Sequence, residues 1–240
     1  METAYLSHPG MVRESNEDSL FVDTRLGLFI VADGMGGHNG GGVASAIAVQ
    51  EVSRLVRAGI GGRRDDETLL RDAFHAAHQA VLALARKDDS LRDMGTTVVA
   101  ALLTKNGLTV GHVGDSRAYA IHEGRITQLT QDHSFIAEWI RDGTITKLEA
   151  RTHKARHGLT MALGVDDDMD PDLCHFPWND TSSLLLCSDG LTDMLDDEEV
   201  FSLIQNASSL HEACRELVER ANEKGGEDNI TVVLVGASSR

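Results

Sequence analysis

The stretch Leu28 to Gly42, LFIVADGMGGHNGGG, decides how the rest of the chain is read. An apolar strand, Leu28 to Ala32, runs into a single aspartate, Asp33, and then into a loop made largely of glycine. A carboxylate at the end of a buried strand is costly unless something positive meets it, so Asp33 is a candidate ligand or catalytic group. The glycines from Gly34 to Gly42 leave the backbone unshielded, and its amides and carbonyls can approach an ion, a water or a phosphate closely. A helix starting near Val43 would bring its positive dipole end to the same loop. Taken alone, the stretch reads equally well as a strand-to-helix turn whose glycines serve positive φ.

Working outward, the 240 residues are enough to bury a substantial core. Acidic residues number 38 against 22 basic, a net charge of −16 at pH 7. That balance excludes nucleic acid and anionic membrane as partners, and it suits divalent cations as well as it suits a solvated acidic surface. No apolar run is long enough to span a membrane. The opening METAYLSHPG has neither the basic nor the apolar region of a signal peptide. Cys174, Cys187 and Cys214 lack metal-like spacing and are odd in number, which fits core filler in a reducing cytoplasm.

Residues 3–7 and 18–24 have strand composition, and Leu26-Gly27 turns the chain into the run that ends at Asp33, so a first antiparallel meander is expected. Helices are expected over 43–58 and from about Asp66, each with one apolar stripe and each covering a sheet from one side. His75 and His78 fall beside the second stripe and are expected at the surface or its boundary. From Gly95 the strands GTTVVAALLT, LTVGHVGD, SRAYAIHEG and RITQLT, with turns at Asn106-Gly107 and Glu123-Gly124, predict a second meander. Residues 131–175 are the least regular part, basic at Arg151, His153, Lys154, Arg156 and His157 and acidic at Asp166 to Asp168. Such a segment is a lid, a recognition loop for a phosphorylated substrate, or a solvated loop. The strand SLLLC then ends in Ser188-Asp189-Gly190, helices are expected at about 196–205 and 210–222, and Gly225 to Asn229 leads into ITVVLVG.

Asp33, Asp115, Asp189 and Asp228 thus each stand at a strand end beside a glycine or a turn, and they are expected to converge. Carboxylates without accompanying cysteines or paired histidines favour Mg²⁺ or Mn²⁺ over Zn²⁺. Two such ions, on the order of 3.5–4 Å apart and sharing a carboxylate and a water, make a hydrolytic centre.

The ordered set RESNED (Arg13 to Asp18), ADGMGGH (Ala32 to His38), GTT (Gly95 to Thr97), GDSR (Gly114 to Arg117), LTQDHS (Leu129 to Ser134), CSDG (Cys187 to Gly190) and EDNIT (Glu227 to Thr231) resembles the metal-dependent protein phosphatases of type 2C, in their bacterial stand-alone form. The resemblance covers almost the whole chain. It implies an α/β (α+β) four-layer α/β/β/α sandwich of two mainly antiparallel sheets flanked by helix pairs, forming one catalytic domain over 1–240 with a flap at about 135–168. It implies hydrolysis of phosphoserine and phosphothreonine by a metal-bridging water or hydroxide attacking phosphorus in line, with no phosphoenzyme. Asp33 would bridge two core Mn²⁺ or Mg²⁺ ions, the Gly34 carbonyl would hold one of them, and Asp189 and Asp228 would complete the other. Asp115 would hold a weaker third Mn²⁺ or Mg²⁺. Asp18 would act through metal-bound water with Glu17 beside it, and Arg13 would clamp the substrate phosphate.

Two positions depart from the family pattern. Met35 stands where animal members carry a histidine proposed to protonate the leaving group, which leaves His38 as a possible general acid or a bystander. Met161 stands where an arginine is commoner. The partners implied are phosphorylated proteins, those of a Ser/Thr protein kinase, for a cytoplasmic monomer that binds neither nucleic acid nor membrane. Thr96 and Thr97 are expected to satisfy nearby backbone, Arg117 to form a structural ion pair and His112 to fill the sheet interior, while His133 has no assigned role. The competing readings are a phosphopeptide-binding module with an inactive centre and a calcium-stabilised structural protein. The second is opposed by the lack of a contiguous calcium loop.

Overall fold

The computed structural model describes residues 1–36, 40–150, 153–165, 169–178 and 182–236. The chain runs through β1 (Glu2–His8), β2 (Ser19–Asp23), β3 (Leu28–Ala32), β4 (Gly34–Met35), α1 (Gly40–Gly59), α2 (Asp66–Ala85), β5 (Gly95–Thr96), β6 (Val98–Thr104), β7 (Gly107–Val113), β8 (Arg117–His122) and β9 (Arg125–Gln128). It continues through α3 (Phe135–Arg141), α4 (Lys147–Ala150), β10 (Asp172–Phe176), β11 (Ser183–Cys187), α5 (Asp189–Thr192), α6 (Asp197–Asn206), α7 (Leu210–Glu223) and β12 (Ile230–Gly236).

Two antiparallel sheets carry the architecture. One has the order β10-β7-β6-β3-β2, the other β1-β12-β11-β8-β9, and β4 and β5 form a small separate ribbon. Their inner faces meet through Phe29, Val31, Val99 and Val110 on one side and Ala118, Leu184, Leu186 and Val233 on the other. The outer face of the first sheet, with Leu28, Ile30 and Ala100, is covered by α1 and α2 through Val52, Val56, Leu70 and Phe74. The outer face of the second, with Leu185, Val232 and Leu234, is covered by α6 and α7 through Val200, Leu217 and Ala221. This is the four-layer α/β/β/α sandwich expected. Asp65, whose side chain accepts the Thr68 N–H at 2.7 Å, starts α2 as an N-cap.

Both expected meanders are corrected. β2 and β3 form a hairpin, but β1 joins the other sheet, pairing with β12 from Glu2↔Gly236 to His8↔Ile230. β6 and β7 stay in the first sheet, whereas β8 and β9 lie in the second, so the chain changes sheet at Gly114 to Ser116. The reason is the architecture itself. A strand between a helix layer and another sheet is apolar on both faces, so it shows no alternation from which sheet membership can be read; every residue of β3, β7 and β12 is buried. His78 is also corrected: it is buried, and its Nδ1 accepts the Gly164 N–H at 3.1 Å. Cys187 and Cys214 lie in the second core, and Cys174 is half-buried on β10.

The described residues of 135–150 and 153–165 carry more structure than their sequence suggests. Ser134 caps α3 by accepting the Ala137 N–H at 3.2 Å. Phe135, Trp139 and His153 pack ring against ring, and the bridges Ser134↔Leu159 and Thr96↔Leu163 tie the segment back to the body. Arg151 and Asp166 to Asp168 lie outside the described residues. No helix among the described residues is long and apolar enough to cross a membrane.

Candidate metal centre

The site is built where strands of both sheets end at the same edge. At the end of β3 the backbone of Asp33 is fixed from both sides. Its N–H donates to Thr97 Oγ1 at 3.0 Å, and its carbonyl accepts from the Thr97 N–H and from Thr96 Oγ1, both at 2.9 Å. The direction of the carboxylate follows from that lock. Gly34 comes so close to α1 and to the RESNED loop that a Cβ there would sit 2.1 Å from the Gly41 carbonyl oxygen and 2.6 Å from that of Glu17. Ser45 on α1 donates to the same Glu17 carbonyl at 2.6 Å.

From the other sheet, β11 delivers Ser188 and Asp189, and the loop before β12 delivers Asp228. Ser188 Oγ donates to Asp18 Oδ2 at 2.8 Å. Asp228 accepts the Asn229 N–H on Oδ1 at 2.8 Å and the Arg13 guanidinium on Oδ2 at 2.7 Å. Asn229 in turn holds the RESNED loop, accepting the Glu17 N–H at 2.7 Å and donating to the carbonyls of Pro9 and Ser15 at 3.0 and 2.9 Å.

A cavity of about 460 Å³ results, lined by Arg13, Glu17, Asp33, Gly34, Asp115, Asp189 and Asp228 among others. Asp18 is absent from the lining and is held through its bond to Ser188. His38 lies outside the described residues. Met35, at the cavity wall, offers no proton donor.

The carboxylates crowd one another. Burial, then repulsion from Asp18, Asp189, Asp115 and Asp228, pushes the Asp33 carboxyl well above its ordinary range. Burial and then Asp115, Asp193 and Asp228 do the same to Asp189. Asp18 is pushed up to about 6 by burial, against hydrogen bonds from Thr231 and Ser188. Asp115 is pushed up to about 7 by burial and by Asp132 and Asp193, with Arg117 opposing. Asp33, Asp115 and Asp189 line the cavity, and Asp18 is not among its lining residues. On the rim, Asp228 raises the Arg13 guanidinium pKa.

Buried carboxylate oxygens without a donor need a cation or, in its absence, a proton. Oδ1 of Asp18 and Oδ1 of Asp189 are such atoms, and an all-oxygen donor set at this charge density fits hard divalent ions. The residues present therefore fit Mn²⁺ or Mg²⁺.

Sequence reasoning misses three contributors. Asp193 stands four residues after Asp189, one helical turn away, and the ligating atoms of Asp189, Asp193 and His157 all lie within 4.8 Å of one another. The i, i+4 spacing in DGLTD is the signal that could find it. In the sequence His157 stands out only as part of a basic cluster, and Asn229 only as the end of a motif. Behind Asp115, Arg117 grips Asp132 through Nε and Nη2 at 2.6–3.0 Å, the structural pair expected. His112 is buried with Nε2 2.8 Å from the Gln131 carbonyl. His133 stacks on it at 4.6 Å and accepts the Gly114 N–H on Nδ1 at 3.2 Å, bracing the turn that carries Asp115.

Comparison with known proteins agrees with this arrangement. The family model for protein phosphatase 2C matches residues 12–234. A serine/threonine phosphatase stp from Listeria welshimeri is 38% identical over 245 residues, covering 98% of this chain and 95% of that protein. The crystal structure of the Mycobacterium tuberculosis serine/threonine phosphatase PstP/Ppp superposes with a TM-score of 0.91 at 35% identity, with 99% of each chain covered. The catalytic domain of serine/threonine protein phosphatase PstP in complex with two manganese ions gives 0.88 at 36% identity, over 97% of this chain and 96% of that one.

Proposed function

The chain belongs to the protein phosphatase 2C family, and from that premise we propose how its residues divide the work. The protein is a metal-dependent serine/threonine phosphatase, and the reading as a phosphopeptide-binding module with an inactive centre gives way to it. The observation that carries the assignment of roles is the crowding of Asp18, Asp33, Asp189 and Asp228 at the joined ends of the two sheets, with Arg13 on Asp228 the ion pair they have among the described residues.

In this reading Asp33 would be shared between two core ions, the Gly34 carbonyl would serve one, and Asp189 and Asp228 would serve the other. Bound there, Mn²⁺ or Mg²⁺ would supply a hydroxide nucleophile at neutral pH and neutralise phosphoryl oxygens. A third, weaker ion would be held by Asp115 with Asp189 and Asp193. Asp18, with Oδ2 engaged by Ser188 and Oδ1 buried without a hydrogen-bond partner, would act from behind the core ions through water bound to them. Glu17 stays beside it, fixed by Asn229 and Ser45 through its backbone. Arg13, half-exposed on the rim, has N–H groups beyond the one facing Asp228, and its planar fork matches a phosphate dianion. His38 remains a candidate for protonating the leaving group.

The wider reading is a single catalytic domain whose 135–168 segment serves as a flap, a monomer in the cytoplasm acting on the products of a Ser/Thr protein kinase. Three cysteines without disulfide partners support the compartment. Release of phosphate from a phosphothreonine peptide and from an aryl phosphate is the test. It should require Mn²⁺ or Mg²⁺ and stop with a chelator, and peptide binding without turnover in the metal-loaded protein would overturn the reading.

A further inference from the structure

We infer that His157 is a hydrogen-bond donor to the phosphoryl group of the bound substrate, with Arg156 fixing the proton on Nδ1. The inference rests on the phosphatase reading and extends it to a residue of the flap. A guanidinium is always protonated and only donates. Arg156 Nε donates to His157 Nε2 at 2.8 Å, and Arg156 Nη2 is anchored to Glu227 Oε2 at 2.6 Å. His157 Nε2 is therefore the acceptor nitrogen and Nδ1 carries the hydrogen.

One consequence follows from that tautomer. A protonated Nδ1 has no lone pair for a metal, so His157 does not complete the ligand set of Asp189 and Asp193, although its ring lies within 4.8 Å of both. With Nε2 facing the Arg156 N–H, the nitrogen turned toward Asp193 and the cavity is Nδ1.

What remains is an N–H at the cavity. His157 lines both the metal cavity and the adjoining one of about 490 Å³ that contains Arg13, Asp193 and Met194. Of the described flap residues only His157 and Leu159 line the metal cavity, so His157 is its polar contribution there. Met161 packs against the first hydrophobic core. Of the other neutral side-chain donors lining it, Thr97 is engaged with Ser116 and Asp33 and Asn229 with Pro9 and Ser15, while Ser15 belongs to the loop of Arg13 and not to the flap. Nδ1 lies 3.7 Å from Asp193 Oδ2, too far for a strong bond, and half the side chain is exposed. The donor is thus available to a phosphoryl oxygen.

The test uses His157→Ala and His157→Asn in the Mn²⁺-loaded protein, with inorganic phosphate binding followed by calorimetry and KM and kcat measured for a phosphothreonine peptide. The surface position predicts that both variants fold, checked by thermal unfolding. His157→Ala should weaken phosphate binding and raise KM about tenfold with kcat changed less, the value of one lost hydrogen bond to a charged group. His157→Asn, whose amide N–H falls near Nδ1, should recover most of that loss. Arg156→Ala, which frees the tautomer, should give a smaller rise in KM. Unchanged phosphate affinity in His157→Ala would overturn the inference, and so would loss of a bound Mn²⁺ equivalent in that variant, which would make His157 a ligand. A wild-type protein that bound phosphate and Mn²⁺ yet released none from the peptide would count against the phosphatase reading instead.

Discussion

The floor and the rim of the cavity are built on opposite plans. On the floor, Asp33, Asp189 and Asp228 are short side chains at strand ends, aimed by backbone that is itself hydrogen-bonded on both sides of Asp33. On the rim, Arg13, Arg156 and His157 are longer side chains, half-exposed, each held near its tip by a single neighbour or two. The floor concentrates like charge where ions must be held, at a cost in the stability of the metal-free protein. The rim keeps donors that can rearrange around a substrate. Ion binding needs fixed geometry, and recognition of a variable protein surface needs slack.

The largest effect should come from breaking the floor. Asp33→Asn is expected to lower turnover on the order of a thousandfold or more, because it removes the carboxylate assigned to both core ions. The same variant should melt at a higher temperature than wild type when both are metal-free, since an amide relieves the repulsion from Asp18, Asp189 and Asp228. Calorimetry of the two chelated proteins checks this, and a lower melting temperature for the variant would show that the carboxylates are not crowded in solution.

The pH dependence of the metal-free protein sharpens the same point. Asp18 is raised from 3.8 to about 6 and Asp115 to about 7, with Asp33 and Asp189 also raised. The folded state then binds protons more tightly than the unfolded chain, so the contribution of these groups is fully present below about pH 4 and is lost as pH rises through 6 to 7. With chelator, stability should fall across that window; with saturating Mn²⁺ it should not, because the ionised carboxylates are then paired. The exposed carboxyls of Asp65 and Glu199 are lowered and act in the opposite sense only at more acidic pH. A flat chelated profile from pH 4 to 7 would contradict the crowding.

Breaking the rim should do less. Arg13→Ala is expected to raise KM by an amount worth on the order of 1.5–3 kcal/mol for a charge-assisted hydrogen bond, with kcat less affected. Because Arg13 also neutralises Asp228, Mn²⁺ should bind the variant at least as tightly as wild type. A change confined to kcat would place Arg13 in the chemistry rather than in binding.

The two plans also explain what is legible in the sequence. Floor residues announce themselves as an aspartate next to a glycine at the end of an apolar run, a local pattern repeated at Asp33, Asp115 and Asp189, so their convergence is expected from the sequence alone. Asp193 and Asn229 escape such a reading because their signals are a helical spacing on a helix of four residues and an amide whose partners, Pro9 and Ser15, are more than two hundred residues away. His157 owes its role to Arg156 and Glu227, a pairing that spans 71 residues. The sheet membership of β1 and β8 is hidden for a different reason, since the central strands they could join, β3, β7 and β12, are buried along their whole length and carry no alternation to read.

The smallest effect should come from loosening the lock without touching a ligand. Thr97 is 3% exposed, and its hydroxyl accepts the Asp33 N–H and pairs with Ser116 Oγ at 2.7 Å. Thr97→Val keeps the shape and removes the acceptor, leaving a buried N–H without its partner, a loss of about 1–3 kcal/mol. For a chain of this length that is a few degrees to several degrees in melting temperature, at about 2–4 °C per kcal/mol. Thr97→Ser, which keeps the hydroxyl, should stay close to wild type. If the lock aims the carboxylate as well as stabilising the strand end, Mn²⁺ affinity should fall by about tenfold in Thr97→Val, the lower end of the range for losing a residue behind a metal ligand. A drop in melting temperature with unchanged Mn²⁺ affinity would mean that Asp33 is aimed by the sheet alone. The hydroxyl would then belong to the fold and not to the floor.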